Sequence, residues 1–217
     1  MPTARSSSHG AVQLAMPNVV DISPFRSFHS AAQQSIPSIP GGNSRSLGHN
    51  PGPNCFAPQV LQAGDPLLSK RAVEVALDAI GSCAIEKVIN DLVAAMRNLG
   101  ASALSAPQIG QALQIIVLED PTIQQPSKLM VIINPKLVVI HPEETETSLE
   151  ECPSVCGYCA LVERFSRVKA TGLNRRGEKI QIDAKGWLAR ALQHESDHLE
   201  GILFVDKMVP KSFRSIS

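Results

Sequence analysis

Two segments of the chain carry apolar residues at helical spacing. In residues 84–100 these residues recur every three or four positions, and Gly100 follows as a helix stop. Residues 186–201 show the same spacing on one face and end at Gly201. The sequence therefore predicts two amphipathic helices. Their apolar positions are Ile85, Val88, Ile89, Leu92, Ala95 and Met96 in the first, and Trp187, Leu188, Ala191, Leu192 and Leu199 in the second.

Short apolar runs between these helices predict strands. Residues 113–119 form one run, and residues 129–140 form another, which Asn134 and Pro135 divide into two predicted strands. Residues 167–183 predict a hairpin with a polar turn in its middle. Several strands followed by one late helix are typical of an α+β domain, so this is the predicted fold class.

Residues 1–58 differ in composition from the rest of the chain. They are rich in Ser, Pro, Gly and Ala, and Asp21 is the only acidic residue before Asp65. Because so little apolar surface is available for burial, we predict that residues 1–58 are a disordered extension. Its basic, acid-poor composition also fits an organelle transit peptide, although prolines interrupt any helix there. The folded domain is predicted over residues 59–210, with a short tail over 211–217.

The composition of the whole chain narrows the function classes. Hydrophobic residues make up 43%, which predicts a packed globule, and no apolar run approaches the length of a membrane helix. The formal net charge is zero, which argues against nucleic acid or anionic membrane binding as the main activity. Five cysteines, an odd number, without a secretory hydrophobic segment favour reduced thiols over a disulfide framework.

The segment HESDH on the second predicted helix has the residues of a metal site. His194 and His198 are four positions apart and therefore neighbours on one helical face. In the H-E-x-x-H metal signature the glutamate, here Glu195, serves as general base. Asp197 follows His194 by three positions and could orient a ligand imidazole. The alternative is a solvated face of two histidines and two acids, which the strongly apolar inner side of this helix disfavours.

Two histidine ligands need a third protein ligand. The segment after His198 contains neither His nor Cys, so an ordinary metalloprotease is disfavoured and the third ligand is expected upstream. The choice between five candidates stays open on these grounds. They are His141, Cys83, Cys152, Cys156 and Cys159, and the last three lie together in LEECPSVCGYC.

Three motifs in order resemble those of the peptide deformylase family. They are GASALSAPQIG at 100–110, EECPS at 150–154 and QHESDHLEG at 193–201. The resemblance covers about residues 60–208 and implies an α+β fold in which antiparallel sheets pack around a central C-terminal helix bearing HESDH. The LSAPQ form and the extended N-terminus are similar to the organelle-type deformylases of animals, which strengthens the transit-peptide interpretation.

The resemblance implies an enzyme that removes the formyl group from N-formylmethionine at the start of new polypeptides. The implied ligands of one divalent ion are Cys152, His194 and His198; the ion is Fe²⁺ in the cell, and Zn²⁺, Ni²⁺ or Co²⁺ can replace it. Glu195 is the implied general base for a metal-activated water, and the side-chain amide of Gln108 stabilises the oxyanion.

Further roles follow from the same resemblance. Glu150 and Arg164 form an ion pair that braces the cysteine loop, with Asp197 as additional support. Cys156 and Cys159 have no ligand counterpart in the family, and we predict that they are small buried packing residues rather than a second metal site. The residues implied to line the substrate pocket are Ala101, Ser102, Ala103, Leu104, Glu151 and Pro153.

The implied partners are N-formylmethionyl peptides, including nascent chains at the organelle ribosome. No direct contact with nucleic acid and no membrane span are expected. The implied location is the mitochondrial matrix, with the cytoplasm as the alternative.

Four positions depart from the family pattern. Pro153 stands where the family residue donates its backbone N–H to the formyl oxygen, and proline has no N–H. Glu151, Ala101 and Ala103 stand where the family has glycine; all three add bulk, and Glu151 adds negative charge beside the cysteine. These changes leave two main hypotheses: a deformylase, of low activity, or an inactive metal-binding relative that binds peptide N-termini. A metallo-amidohydrolase for another acyl group is a further alternative.

Overall fold

A computed structural model describes residues 60–121 and 129–216. The predicted disordered extension over residues 1–58 lies outside these described residues. The described part contains two α-helices, α1 (Cys83–Asn98) and α2 (Gly186–Leu199). It also contains eight strands: β1 (Ala103–Ser105), β2 (Ile115–Glu119), β3 (Leu129–Val139), β4 (Thr145–Glu151), β5 (Tyr158–Phe165), β6 (Arg167–Leu173), β7 (Lys179–Lys185) and β8 (Arg214–Ser215). In this part of the chain, no helix has the length and apolar character that crossing a membrane requires.

The strands form two antiparallel sheets. One sheet has five strands in the order β1-β2-β3-β6-β7, and the other has three in the order β4-β5-β8. Helix α2 contacts strands of both sheets, including β1, β5 and β7. The predicted α+β class, with antiparallel sheets around the C-terminal helix, is confirmed.

Helix α1 forms within one or two residues of the predicted segment: it begins at Cys83 and ends at Asn98, two residues before Gly100. The Ser82 hydroxyl oxygen accepts a hydrogen bond from the Ile85 N–H, which is the usual N-cap contact. Gly100 has a φ of 65°, a left-handed conformation that suits glycine after a helix. The buried face of α1 packs against β1, β2 and β3. This face consists of Ile85, Ile89, Leu92, Val93, Ala95 and Met96.

Helix α2 packs its apolar face on the five-stranded sheet. Ala189, Leu192 and Leu199 are buried there against residues of β2, β3 and β6. The amphipathic pattern thus fixes the rotation of α2, and its other positions turn toward the cysteine loop of the smaller sheet. Burial on two sides explains why polar side chains on α2 also lie inside the protein.

The prediction of two strands divided at Asn134 and Pro135 is wrong. Strand β3 is continuous, and an irregularity between Ile133 and Lys136 absorbs these two residues. Asn134 has a φ of 51°, and its side-chain amide exchanges two 2.8 Å hydrogen bonds with the Val75 backbone. The bulge accommodates Pro135, which cannot donate to the ladder.

The predicted hairpin is formed by β6 and β7. The Asn174 side-chain oxygen accepts hydrogen bonds from the backbone N–H groups of Arg176 (2.8 Å) and Glu178 (3.0 Å). An asparagine that satisfies its own turn in this way stabilises the hairpin locally.

Candidate metal centre

Helix α2 places His194 and His198 side by side in the interior. Both residues are buried, and their ring centroids are 5.0 Å apart. Cys152 follows β4 directly and brings its sulfur to the same place. One ligating atom from each of Cys152, His194 and His198 lies within 4.8 Å of the others, and the Cys152 Sγ to His198 Nε2 distance is 3.3 Å.

The other candidate ligands lie elsewhere in the described part of the chain. His141 groups with the exposed Glu143 and Glu144 in the loop between β3 and β4. Cys83 is exposed at the start of α1. Among the five candidates, Cys152 is therefore the one that the fold brings to both histidines.

Cys159 and Cys156 differ in burial. Cys159 is buried in β5, as the packing interpretation predicts, whereas Cys156 is exposed, so that prediction is wrong for Cys156. The physical reason is local: Cys156 ends the short turn after Cys152, and Gly157 with a φ of 81° carries the chain away into β5.

The donor set fits a divalent metal ion. One thiolate and two imidazoles are ligands that Zn²⁺ and similar ions accept, and three protein ligands leave a position open. Burial, followed by the positive charge of His194, lowers the pKa of His198 well below its usual value, which favours the neutral, ligating imidazole. Burial would also lower the pKa of His194, but Cys152 and Glu150 outweigh it and raise this pKa well above its usual value. The surroundings of the His194 ring therefore favour a positive charge there.

Glu150 orients the His194 imidazole. Its Oε2 atom lies 2.9 Å from His194 Nδ1, which leaves the Nε2 atom of that ring available as a ligand. Arg164 donates two 2.9 Å hydrogen bonds to the same carboxylate, and Arg190 donates a third of 2.9 Å. Burial would raise the pKa of Glu150, but the bonds from Arg164 and His194 outweigh it and hold this pKa well below its usual range.

Asp197 supports the site from one step farther away. Its two carboxylate oxygens accept hydrogen bonds from Arg164 and from Lys207. The sequence predicts that Asp197 could orient a ligand imidazole. In the structure Glu150 has this role, because the end of β4 places its carboxylate against the His194 ring. Asp197 instead helps to hold the guanidinium of Arg164, which pairs with Glu150.

Gln108 has its amide group fixed in orientation. Its side-chain oxygen accepts hydrogen bonds from the backbone N–H (2.9 Å) and the hydroxyl (3.0 Å) of Ser105. Its Nε2 atom therefore points the other way, toward the Ser154 hydroxyl at 3.2 Å and the Cys152 sulfur at 3.5 Å. Gln108 thus presents N–H donors beside the candidate metal ligands.

Glu195 is buried next to His194 on α2. Its Oε2 atom accepts no hydrogen bond within the described residues. Burial raises the pKa of Glu195 to about 7, and the positive charge of His194 reduces this rise. A carboxylate with a pKa near neutrality is suited to take up and release a proton.

A pocket opens beside the candidate ligands. Three parts of the chain line it: the segment at the start of β1, the end of β4 with the loop that follows, and helix α2. The lining residues are Ala101, Ser102, Ala103, Glu150, Glu151, Pro153, Trp187, Arg190, Ala191, His194 and Glu195.

Leu104 differs from the other residues predicted to line the pocket. It is fully buried and packs in the core around α1. Side chains alternate between the two faces of a strand, so Leu104 points away from the face that Ala103 and Ser105 share. The structure therefore places the Leu104 side chain in the core rather than in the lining.

The sequence interpretation missed four residues near the site. Trp187 and Ala191 line the pocket because they lie two turns and one turn before Glu195 on the same helix face, a spacing that the sequence already contains. Arg190 and Ser154 are buried and bond to Glu150 and Gln108, respectively. No simple sequence pattern signals these last two contacts, because they join distant segments.

Pro153 fits its local backbone well. It is the first residue of a short 3₁₀ turn (Pro153–Val155), and the Val155 N–H donates to the Cys152 carbonyl at 2.9 Å. Proline is tolerated at such a first position because the N–H there has no partner within the turn. The extended backbone of Cys152 (φ −143°, ψ 132°) also suits a residue before proline. Pro153 therefore removes a donor without distorting the loop.

Comparison with known proteins gives a consistent result. A family model described as polypeptide deformylase matches residues 57–214. The chain is 45% identical over 173 residues to the chloroplastic peptide deformylase 1A of Solanum lycopersicum, which covers 73% of this chain and 62% of that protein. It is 37% identical over 171 residues to the mitochondrial peptide deformylase of Homo sapiens, covering 72% and 70%. The chain spans slightly less than two thirds of the plant relatives that it matches.

Solved structures give the same picture. The structure of peptide deformylase from Thermotoga maritima matches with a TM-score of 0.64 at 32% identity, and the match covers 71% of this chain and 99% of that one. Among the relatives compared by sequence, the peptide deformylase of Thermodesulfovibrio yellowstonii is 39% identical over 152 residues, covering 70% of this chain and 89% of that protein.

Proposed function

Because the chain belongs to the peptide deformylase family, we propose that it is a metal-dependent deformylase acting on N-formylmethionyl peptides. One observation carries this proposal: the donor atoms of Cys152, His194 and His198 converge beside the buried acid Glu195 and the fixed amide of Gln108. Hydrolysis of a formamide needs a base and an oxyanion donor, and this arrangement offers both.

The proposed metal ligands are Cys152, His194 and His198, with Glu150 holding the His194 ring. A bound divalent ion, Fe²⁺ or a substitute such as Zn²⁺, Ni²⁺ or Co²⁺, would supply Lewis acidity for water and for the formyl oxygen. Arg164 and Arg190 neutralise Glu150, so the carboxylate can orient the ring while it is buried.

Glu195 is the proposed general base. Its buried carboxylate, with a pKa of about 7, accepts a proton from the attacking water. It then delivers that proton to the methionine nitrogen, so that formate and a free N-terminus are produced. Its unpartnered Oε2 atom is available for this transfer.

Gln108 is the proposed oxyanion donor from the protein. The two Ser105 contacts hold the amide oxygen away from the reacting group and leave the Nε2–H groups to donate. Pro153 supplies no second donor, because its backbone nitrogen carries no hydrogen. We therefore propose a deformylase of low activity.

The pocket is the proposed binding site for the methionine end of the substrate. The side chains of Ala101, Ala103, Trp187 and Ala191 give it an apolar lining. A flexible thioether packs well against aromatic and small aliphatic groups. Ser102, Glu151 and Pro153 line the same pocket and are the proposed contacts to the rest of the peptide.

Residues 59–210 are the proposed catalytic domain, with 211–217 as a short tail. Residues 1–58 are the proposed transit peptide, and the proposed location is the mitochondrial matrix, where the substrates would be nascent chains of the organelle ribosome. Relatives named as chloroplastic and mitochondrial support an organelle. Fusing residues 1–58 to a fluorescent protein tests this location, and fluorescence that stays in the cytoplasm would refute it.

Formate release from formyl-Met-Ala-Ser tests the proposed activity. The protein is reconstituted with Ni²⁺ or Co²⁺ in air, or with Fe²⁺ under anaerobic conditions, and metal content is measured alongside. We expect formate from the native protein and none above background from the Glu195→Ala variant with equal metal content. Stoichiometric metal without formate in either protein would favour the second candidate, an inactive relative that binds peptide N-termini. The missing N–H of Pro153 is the observation that keeps this candidate in view.

A further inference from the structure

Glu151 carries a carboxylate oxygen that is buried without a hydrogen-bond partner. Its Oε2 atom accepts no hydrogen bond from any described residue. Neighbouring Glu150 shows the contrast, because two arginines and His194 bond to its carboxylate. A buried carboxylate oxygen without a donor is unfavourable, so the folded protein carries this cost at Glu151.

The Glu151 side chain that bears this unpartnered oxygen also lines the pocket. Glu151 is the last residue of β4 and lies directly before Cys152. It lines the same pocket as Trp187, His194 and Glu195. A peptide whose formyl group reaches Glu195 would therefore pass close to the Glu151 carboxylate.

The nearby positive charge is already engaged. The basic residues of the pocket lining are His194 and Arg190. His194 Nδ1 lies 2.9 Å from Glu150, and Arg190 donates to Glu150 at 2.9 Å and to the Val162 carbonyl at 2.9 Å. Its other terminal nitrogen donates to the Glu146 carbonyl at 2.6 Å. The donors of Arg190 are thus directed to other acceptors, and Glu151 leaves a negative charge in the pocket that a ligand can match.

On the basis of the deformylase function proposed above, we infer that Glu151 selects peptides with lysine or arginine soon after the formylmethionine. The formyl group removes the charge of the peptide N-terminus, and the methionine side chain is neutral. A cation on such a substrate must therefore come from a later side chain. Its ammonium or guanidinium group would donate a charge-assisted hydrogen bond to the Glu151 carboxylate from the pocket side.

Three peptide amides test this inference: formyl-Met-Ala-Ser, formyl-Met-Lys-Ser and formyl-Met-Ala-Lys. Binding is measured with the Ni²⁺-loaded Glu195→Ala variant, so that the peptides are not hydrolysed, and is followed through the fluorescence of Trp187, the single tryptophan of the chain and a residue of the pocket. Formate release is measured in parallel with the Ni²⁺-loaded protein that retains Glu195. Of the two lysine peptides, we expect the one that binds more tightly to show a Kd and a KM about tenfold lower than those of formyl-Met-Ala-Ser, with a smaller change in kcat. The preference should weaken as salt is added.

Two matched variants assign the preference to Glu151. Glu151→Gln keeps the shape, removes the charge and should abolish the preference. Glu146→Gln alters an exposed residue of the same strand, outside the pocket lining, and should retain it. An equal preference in Glu151→Gln, or none in the native protein, would overturn the inference.

Two further outcomes separate this inference from the function on which it rests. If no peptide releases formate while the Glu151-dependent fluorescence preference persists, deformylation fails and cation recognition stands. If unformylated Met-Ala-Ser binds more tightly than its formylated form, and only when Glu151 is present, the carboxylate recognises the peptide α-ammonium. That result would overturn the assignment to lysine or arginine side chains.

Discussion

The Nδ1 atom of His194 lies 2.9 Å from a carboxylate oxygen of Glu150, and this contact joins the two sheets of the protein through helix α2. Glu150 is the second-last residue of the polar strand β4, whereas His194 lies in the middle of α2. Arg164 on β5 and Arg190 on α2 bond to the same carboxylate. One buried acid therefore links ring orientation at the site to the packing of its scaffold.

Replacing Glu150 with Gln should weaken metal binding. The amide can still accept from His194, but the negative charge that strengthens this bond and neutralises Arg164 and Arg190 is lost. We expect about 10- to 100-fold weaker metal affinity, measured by competition with a chromogenic chelator. The melting temperature should fall as well, because two buried guanidinium groups lose their common anion. Glu146→Gln, on the exposed part of β4, is the matched control. If Glu150→Gln binds the metal as tightly as this control does, the proposed role of Glu150 is wrong.

The three cysteines near the site should differ sharply in metal retention. Cys152→Ser removes the thiolate that lies 3.3 Å from His198 Nε2, so most of the metal should be lost during gel filtration. Cys156→Ala and Cys159→Ala should keep a full equivalent, since neither residue groups with the histidines. Metal content by atomic absorption measures the difference. Equal losses in all three variants would indicate a shared thiolate cluster instead.

Replacing Gln108 with Leu should lower kcat while leaving KM nearly unchanged. The variant removes the amide that Ser105 holds in place, and loss of one oxyanion donor typically costs about 10²- to 10³-fold in rate. Ser105→Ala is the informative companion, because it removes one of the two contacts to the amide oxygen and should cost less than Gln108→Leu. A rise in KM with an unchanged kcat would show instead that Gln108 binds the ground state and the transition state equally.

The helices and the HESDH motif were predictable because their signals are local. The three- and four-residue spacing of α2 reports its buried face, and the same spacing brings His194 and His198 together. Strand β3 shows the limit of such signals. Asn134 and Pro135 indicate a break locally, but the long-range contact of Asn134 with Val75 keeps the strand continuous.

The strand that carries the site was the least visible in the sequence. The β4 sequence, TETSLEE, has little apolar alternation, because the strand owes its place to pairing with β5 and to charged contacts. The bonds of Glu150 to Arg190 and His194 span 40 and 44 residues, and no local pattern contains them. Only the resemblance to a known family pointed to Cys152 among the five candidate ligands.

Substituting Gly201 with Ala should destabilise the protein strongly. Gly201 has a φ of 75°, and an added Cβ would lie 2.7 Å from the Ser69 carbonyl carbon and 2.8 Å from the Lys70 nitrogen. Both are backbone atoms that cannot move alone. Gly81→Ala is the matched control, since its φ is 82° and an added Cβ meets nothing within 4 Å. We expect a loss of about 1–2 kcal/mol for Gly81→Ala and about 2–4 kcal/mol for Gly201→Ala in urea unfolding. Equal losses of unfolding free energy in the two variants would show that the left-handed backbone conformation alone, and not the close contacts of the added Cβ, destabilises Gly201→Ala.

Replacing Pro153 with Leu should raise the rate of deformylation. The substitution restores a backbone N–H at the first position of the 3₁₀ turn, where no acceptor within the turn competes for it. We expect kcat/KM for formyl-Met-Ala-Ser to rise at least about tenfold, within the 10²- to 10³-fold range of a single oxyanion donor. Pro153→Ala restores the same N–H with a smaller side chain, so it should give a similar gain. A gain in Leu but not in Ala would assign the effect to side-chain contacts. If only the double variant Pro153→Leu with Glu151→Gly releases formate, the native protein is an inactive relative, and these two residues account for the loss.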